Sequence, residues 1–209
     1  MSINRNTSAE EAILKAAEEV FLSKGFAMST TTAIAKLAGV NQALLHYYFR
    51  TKENLFEAVF LKKLQLVTVA MYEILGKEGI PLMDKIKMQI ETQFDFVQSN
   101  PKLPFLVVSE VARAPERSER MGVMVGKRVQ QALGKLQEEL DKAHEEGKIR
   151  KTSAVNLLLS VISQNVFPFL IRPIFQAITN MPDGDFEKLM ASKKEENVAF
   201  IINSLKIKS

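Results

Sequence analysis

Apolar residues recur along most of the chain at three- and four-residue spacing, and nowhere do they alternate with period two for long enough to build a strand. The first such stretch runs from Ser8 to Lys24, with Ile13, Ala16, Ala17, Val20 and Phe21 on one face. Ser8 and Glu11 have the spacing of a capping box. Gly25 supplies a left-handed stop, and Phe26 the apolar contact that often follows one. Residues ahead of Ser8 are expected to be loose. Two short helical patterns come next. Ile34, Ala35, Leu37 and Ala38 are the apolar members of the first, and Leu45, Tyr48 and Phe49 those of the second. Ala38-Gly39-Val40 separates them, and Asn41 suits the N-cap of the second. Two helices joined by a short turn that contains glycine are the sequence form of a helix-turn-helix, spanning about residues 30–49.

The same spacing predicts helices through the rest of the chain. Thr51 caps a fourth helix with one seam at Leu55, Val59, Leu66 and Val69 and another at Phe56 and Phe60, ending between Gly76 and Gly79. Further helices are expected over Met83–Gln98, Phe105–Ala112 and Ser118–Glu146. Another starts at Thr152 or Ser153, is apolar on nearly all sides through Phe167, and should kink at Pro168. Ser192 and Glu195 form a second capping box, opening a last helix whose face is Val198, Ile201, Ile202 and Leu205. The reading is all-α, with about nine or ten helices.

Composition changes this picture little. At 209 residues, nearly half of them hydrophobic, the chain has material for a substantial core. It has no cysteine, which removes disulfides, thiolate metal sites and thiol catalysis, and fits a reducing cytoplasm. The N-terminal stretch has no apolar run of signal-peptide type. Ala154 to Phe175 is the most apolar segment, but it carries Asn156, Gln164, Asn165, Arg172 and two prolines. It therefore reads as a buried helix of a soluble protein, with no membrane partner. A net charge of +4 permits nucleic-acid binding without demanding it.

Candidate chemistry concentrates in residues 29–52. Hydroxyls at Ser29, Thr30, Thr31 and Thr32 can cap the second helix, and a capped helix start also offers N–H groups to a phosphate. The outward residues of the third helix, Gln42, Ala43, His46 and Tyr47, mix amide, methyl, imidazole and phenol, which suits base edges and phosphates. Elsewhere, Phe94, Phe105, Val107, Met121, Met124 and Phe167 could line a ligand cavity between helices or simply fill the core. The Met121–Arg128 stretch fails as a phosphate loop, because its glycines are too close and no strand precedes it. Two histidines and no cysteine cannot build a His-rich zinc site, and no catalytic constellation stands out.

The segment TTTAIAKLAGVNQALLHYYFRTKENLF resembles the DNA-binding signature of TetR-type transcriptional regulators. The resemblance rests on Thr30-Thr31, Ile34-Ala35, Ala38-Gly39-Val40, Leu45-His46-Tyr47-Tyr48-Phe49 and Lys52-Glu53-Asn54-Leu55-Phe56, and covers about a quarter of the chain, Ser8 to Phe60. It implies a three-helix DNA-binding domain over residues 1–51, followed by a larger helical effector-binding and dimerisation domain over 52–209. Thr30 and Asn41 then belong to the DNA-binding set as helix starts. Thr31 resembles a phosphate contact and Thr32 a position that reaches a base. Gln42, Ala43 and Leu44 resemble the base-facing start of the recognition helix, His46 and Tyr47 backbone contacts, and Lys52 a phosphate clamp. His46 departs from the family, which often has tyrosine there. The implied effector pocket draws on Phe94, Phe105, Met121, Met124 and Phe167. The implied homodimer interface draws on Leu158, Val161, Ile162, Val198, Ile202 and Leu205. The expected function is a homodimeric regulator, in this family most often a repressor, that leaves near-palindromic double-stranded DNA when a small apolar molecule binds. No cofactor, metal or enzyme activity is implied. The alternative is a helical protein-interaction module without a DNA-dependent role.

Overall fold

The structure is a computed structural model that describes residues 3–207, apart from the side chains of residues 3–7, 67, 117, 121 and 124. Among the described residues there are nine helices and no strand. They are α1 (Ile3–Met28), α2 (Thr31–Leu37), α3 (Gln42–Phe49), α4 (Lys52–Gly76), α5 (Leu82–Ser99), α6 (Leu103–Arg113), α7 (Glu116–Glu145), α8 (Ala154–Thr179) and α9 (Asp183–Leu205). The all-α expectation holds. Packing divides the chain into two units. The first comprises the described residues up to Leu66 together with Phe105–Met124. The second comprises Val67–Pro104 and the described residues from Val125 onward.

In the first unit, α1, α2, α3 and the start of α4 share one core. Ile13, Ala16, Ala17, Val20 and Phe21 of α1 meet Ile34 and Ala35 of α2, Leu45 and Phe49 of α3, and Leu55, Phe56 and Val59 of α4. The inward positions read from the sequence are the packed ones except Leu37, which is exposed, while Ala38 and Tyr48 pack half-buried against the core. Phe56 is an edge-on neighbour of both Phe21 (5.2 Å) and Phe26 (5.1 Å), an arrangement that aromatic quadrupoles favour. Packing therefore does not cut the chain between residues 51 and 52, as the sequence suggested. The first turns of α4 carry three apolar side chains that belong to this core, and so does Leu106 of α6.

The second unit has one larger core. Met71 and Leu75 of α4, Ile86 and Ile90 of α5, Ala132, Leu136 and Leu140 of α7, Leu157 and Val161 of α8, and Ile201 and Leu205 of α9 meet there. A smaller cluster gathers Phe94 and Val97 with Phe169, Phe186 and Met190. Between α5, α8 and α9 lies a buried amide relay. Asn165 donates through Nδ2 to the Ile90 carbonyl (2.9 Å) and to Gln93 Oε1 (3.2 Å), and accepts at Oδ1 from Asn197 Nδ2 (3.0 Å). Both asparagines are fully buried, so these bonds offset a desolvation cost that would otherwise oppose folding.

Some boundaries depart from expectation. Helix α1 starts at Ile3, so Ser8 is not its cap, and it continues past a non-helical Gly25 (φ 70°) to Met28. Helix α9 starts at Asp183, which leaves Ser192 in mid-helix with its hydroxyl donating to the Leu189 carbonyl (3.0 Å). Helix α8 continues through Pro168 and Pro173. It is long and apolar enough to cross a membrane by length and composition alone. Only one of its faces is buried, through Ala154, Leu157, Val161, Asn165 and Phe169. The expectation of a buried helix is corrected: Val155, Leu159, Ile162, Phe167, Ile174 and Ile178 are exposed.

Candidate nucleic-acid interface

The short helices α2 and α3 are held by their caps. Thr30 Oγ1 accepts from the Ala33 amide (3.2 Å), and Asn41 Oδ1 accepts from the Leu44 amide (2.8 Å). Gly39 sits between them at φ 68°, a conformation that costs glycine no steric clash. The Val40 and Gly39 amides close the end of α2 on the carbonyls of Ala35 (3.0 Å) and Lys36 (3.2 Å). With Leu45 and Phe49 in the core and Tyr48 packed half-buried against it, Gln42, Ala43, His46 and Tyr47 of α3 face solvent.

Most of the expected DNA-binding residues lie on this outer surface. Thr30, Thr32, Asn41, Gln42, Ala43, His46 and Tyr47 are exposed, while Thr31, Leu44 and Lys52 are half-buried. Three of them are joined. Gln42 Nε2 donates to Thr31 Oγ1, and Thr32 Oγ1 donates to Gln42 Oε1, each at 3.4 Å. These long bonds brace the amide at the start of α3 against the start of α2. Tyr47 is 72% exposed, and its ring packs edge-on against Tyr48 at 5.4 Å. From Ser29 to Lys52 the chain has no carboxylate, whereas Lys36, Arg50 and Lys52 are cationic. Such a surface attracts a polyanion.

Four residues behave in ways the sequence did not reveal. Lys52 is not a free cation: its ammonium donates to the carbonyls of Phe26 and Ser29, both at 3.0 Å, and lies 4.4 Å from the centre of the Phe26 ring. It fastens the start of α4 to the end of α1, with two of its three donors occupied. Ser29 is buried, and its hydroxyl donates to the Gly25 carbonyl (2.6 Å), so it serves the α1 terminus. His46 Nδ1 lies 2.9 Å from the Arg50 carbonyl. A carbonyl only accepts, so Nδ1 carries a proton, and in the neutral ring Nε2 is a bare acceptor. Arg50, which the sequence reading passed over, is exposed and caps α3 at φ 64°. Its position directly after Phe49, where the helical pattern stops, was the available signal.

The other expected sites fare differently. Phe94 is fully buried against Phe169 (ring centres 5.7 Å apart), so it fills core. Phe105, in the first unit, and Phe167, in the second, are exposed. The side chains of Met121 and Met124 lie outside the described residues. None of the five lines the described clefts of the second unit. Val161 and Leu205 lie in the core of that unit, with Leu158, Val198 and Ile202 packed half-buried against it. Of the six residues expected at a dimer interface, Ile162 alone is exposed, at 38%. Spacing marked the apolar positions of α8 and α9 but could not divide them between inner and outer faces.

Residues 13–59 match the family described as bacterial regulatory proteins, tetR family. The nucleoid occlusion factor SlmA of Marinobacter nauticus is 26% identical over 148 residues, 71% of this chain and 72% of that protein. The HTH-type transcriptional repressor BepR of Brucella suis is 43% identical over 60 residues, 26% of this chain but only 29% of that protein. The crystal structure of HlyIIR, a hemolysin II transcriptional regulator, superposes with a TM-score of 0.65 at 25% identity, covering 97% of this chain and 99% of that one. The fold, the helix-turn-helix and its surface define a DNA-binding transcription regulator. Residues 13–59 thus carry the DNA-binding domain characteristic of TetR-family regulators.

Proposed function

We propose that the protein is a homodimeric repressor that reads a near-palindromic operator with α3 and releases it when a small molecule binds the second unit. The observation that carries this reading is the exposed, carboxylate-free surface of α2 and α3, with the Gln42 amide braced by Thr31 and Thr32. Gln42 can bond bidentately to adenine, and Ala43 and Leu44 can meet a thymine methyl. Thr31, Tyr47, His46 and Arg50 suit phosphates, as do the amides at the α2 start next to Thr30. Lys52 contributes chiefly by fixing the unit that carries these groups.

The exposed side of α8 supports dimerisation. A monomer seldom exposes so many large apolar side chains on one helix, and Val155, Leu159, Ile162, Ile174 and Ile178 of α8 with Phe200 of α9 are exposed positions that a second copy would cover. This moves the proposed interface away from Val161 and Leu205, whose side chains are committed to the subunit core. A two-fold dimer presents two recognition helices, so the half-sites should lie about one helical turn apart. Effector release needs a ligand that prefers the arrangement misfitting the operator; equal affinity for both arrangements shifts nothing. The protein would act in the cytoplasm, on the chromosome.

Footprinting on the promoter regions flanking its own gene tests the reading. The expected result is protection over two inverted half-sites about one helical turn apart. Uniform protection without inverted symmetry would count against the dimeric operator reading.

A further inference from the structure

Within the second unit, the start of α5, the end of α7 and the end of α9 enclose a cleft of about 650 Å3. That lies inside the range of roughly 300–1,000 Å3 usual for small-molecule sites. Its apolar wall is Leu82, Met83, Ala143, Ile149, Ile202 and Leu205. Ala143, Ile149 and Leu205 are buried and form the base, while Leu82, Met83 and Ile202 are half-buried and stay accessible. An apolar recess of this size left to water has an unfavourable hydration free energy, which an apolar occupant removes.

The rim is charged, and its charges do not cancel. Glu139 receives the buried Lys85 ammonium at 2.7 Å. Glu146 pairs with Lys148 at 2.6 Å, and that hydrogen bond holds the Glu146 carboxyl below the ordinary carboxylate range. Both carboxylates of the lining are therefore engaged. Lys142 and Lys206, which also line the cleft, make no ion pair within 4.0 Å among the described residues, although the Lys142 charge also acts on Glu146. Both are exposed and free to turn toward an occupant. Lysine presents a compact point charge, and the rim has no arginine to fork a phosphate.

We propose that this cleft binds an amphipathic monoanion, its apolar chain on Leu82, Ile149, Ile202 and Leu205 and its carboxylate between Lys142 and Lys206. The site gives the effector of the reading above a place and a chemical class. Only the step from binding to DNA release rests on that reading; the binding itself does not.

The test is calorimetric titration of the full chain, without DNA, using decanoate, with decyltrimethylammonium as the cation of matched tail. Decanoate should bind saturably with one site per chain, and weaken as salt is raised. The cation should bind at least about tenfold more weakly, as should decanoate to the Lys142→Gln, Lys206→Gln double variant. Both lysines are exposed, so that variant should keep the wild-type melting temperature. Leu82→Trp, which fills the cleft from its rim, should abolish binding. No saturable binding of decanoate would overturn the proposal. So would binding that is unchanged in both variants. Loss in Leu82→Trp with the double lysine variant unchanged would overturn the assignment of an anion. Since no DNA is present, these outcomes are independent of whether the chain recognises an operator.

Discussion

At the scale of single residues, His46 makes the most specific prediction. Its Nδ1 proton is committed to the Arg50 carbonyl, so the neutral ring offers a phosphate only the lone pair of Nε2. Protonation converts Nε2 into a charged donor. His46→Ala should weaken binding to all DNA sequences alike, by roughly three- to tenfold for one lost phosphate contact, and anisotropy titration of both proteins would check it. An unchanged affinity would refute the phosphate role of His46. Lys52 predicts a different phenotype. Lys52→Met should lower unfolding stability by about 1 kcal/mol in a denaturant titration, because two carbonyls lose a charged donor at a partly exposed site. An unchanged midpoint would return Lys52 to the role of a simple phosphate cation. The fastening role of Lys52 was beyond the sequence. Lys52 is 26 residues from Phe26, and nothing in local spacing shows that their ends meet. Gln42 and the threonines were legible because their exposure follows from helical periodicity alone.

At the scale of elements, true caps and false ones separate cleanly. Thr30, Asn41 and Ser153 were legible as helix starts, and each side chain accepts from an amide three residues on. The Ser8–Glu11 and Ser192–Glu195 pairs have capping-box spacing too, yet both lie inside helices. Serine and glutamate also sit readily on an exposed helical face, so spacing without a break in the apolar pattern is a weak signal. The break before α9 was present at Pro182, which takes the N-cap position ahead of Asp183 and Asp185. The turn between α2 and α3 gives a direct test of backbone control. A Cβ on Gly39 would meet nothing within 4 Å, so only its positive φ opposes a side chain. Gly39→Ala should cost about 1–2 kcal/mol, read from a thermal or denaturant melt. A neutral effect would mean that the turn relaxes to negative φ.

At the scale of the whole molecule, the all-α class was legible from periodicity, but the division of labour within it was not. Apolar positions on α8 and α9 were assigned to an interface as a set, and burial splits them. Val161, Ile201 and Leu205 belong to the chain's own core, whereas Leu159, Ile174 and Phe200 are left outside. A helix apolar all round carries no sequence mark for which face meets its own chain. The exposed face predicts that Leu159→Glu, which leaves the subunit core untouched, converts a dimer to a monomer in sedimentation experiments. It should also weaken operator binding, since each half-site then binds alone. A variant that stays dimeric would move the interface elsewhere. If the surface of α2 and α3 reads DNA sequence, anisotropy titration of wild type and Gln42→Ala against a promoter site and scrambled DNA, at several salt concentrations, will show it. The expected result is salt-sensitive binding in which wild type prefers its site by about a thousandfold or more, and a Gln42→Ala variant that loses discrimination at one or two base pairs while keeping the same salt slope. Equal affinity of wild type for site and scrambled DNA, or a Gln42→Ala profile indistinguishable from wild type, would contradict it.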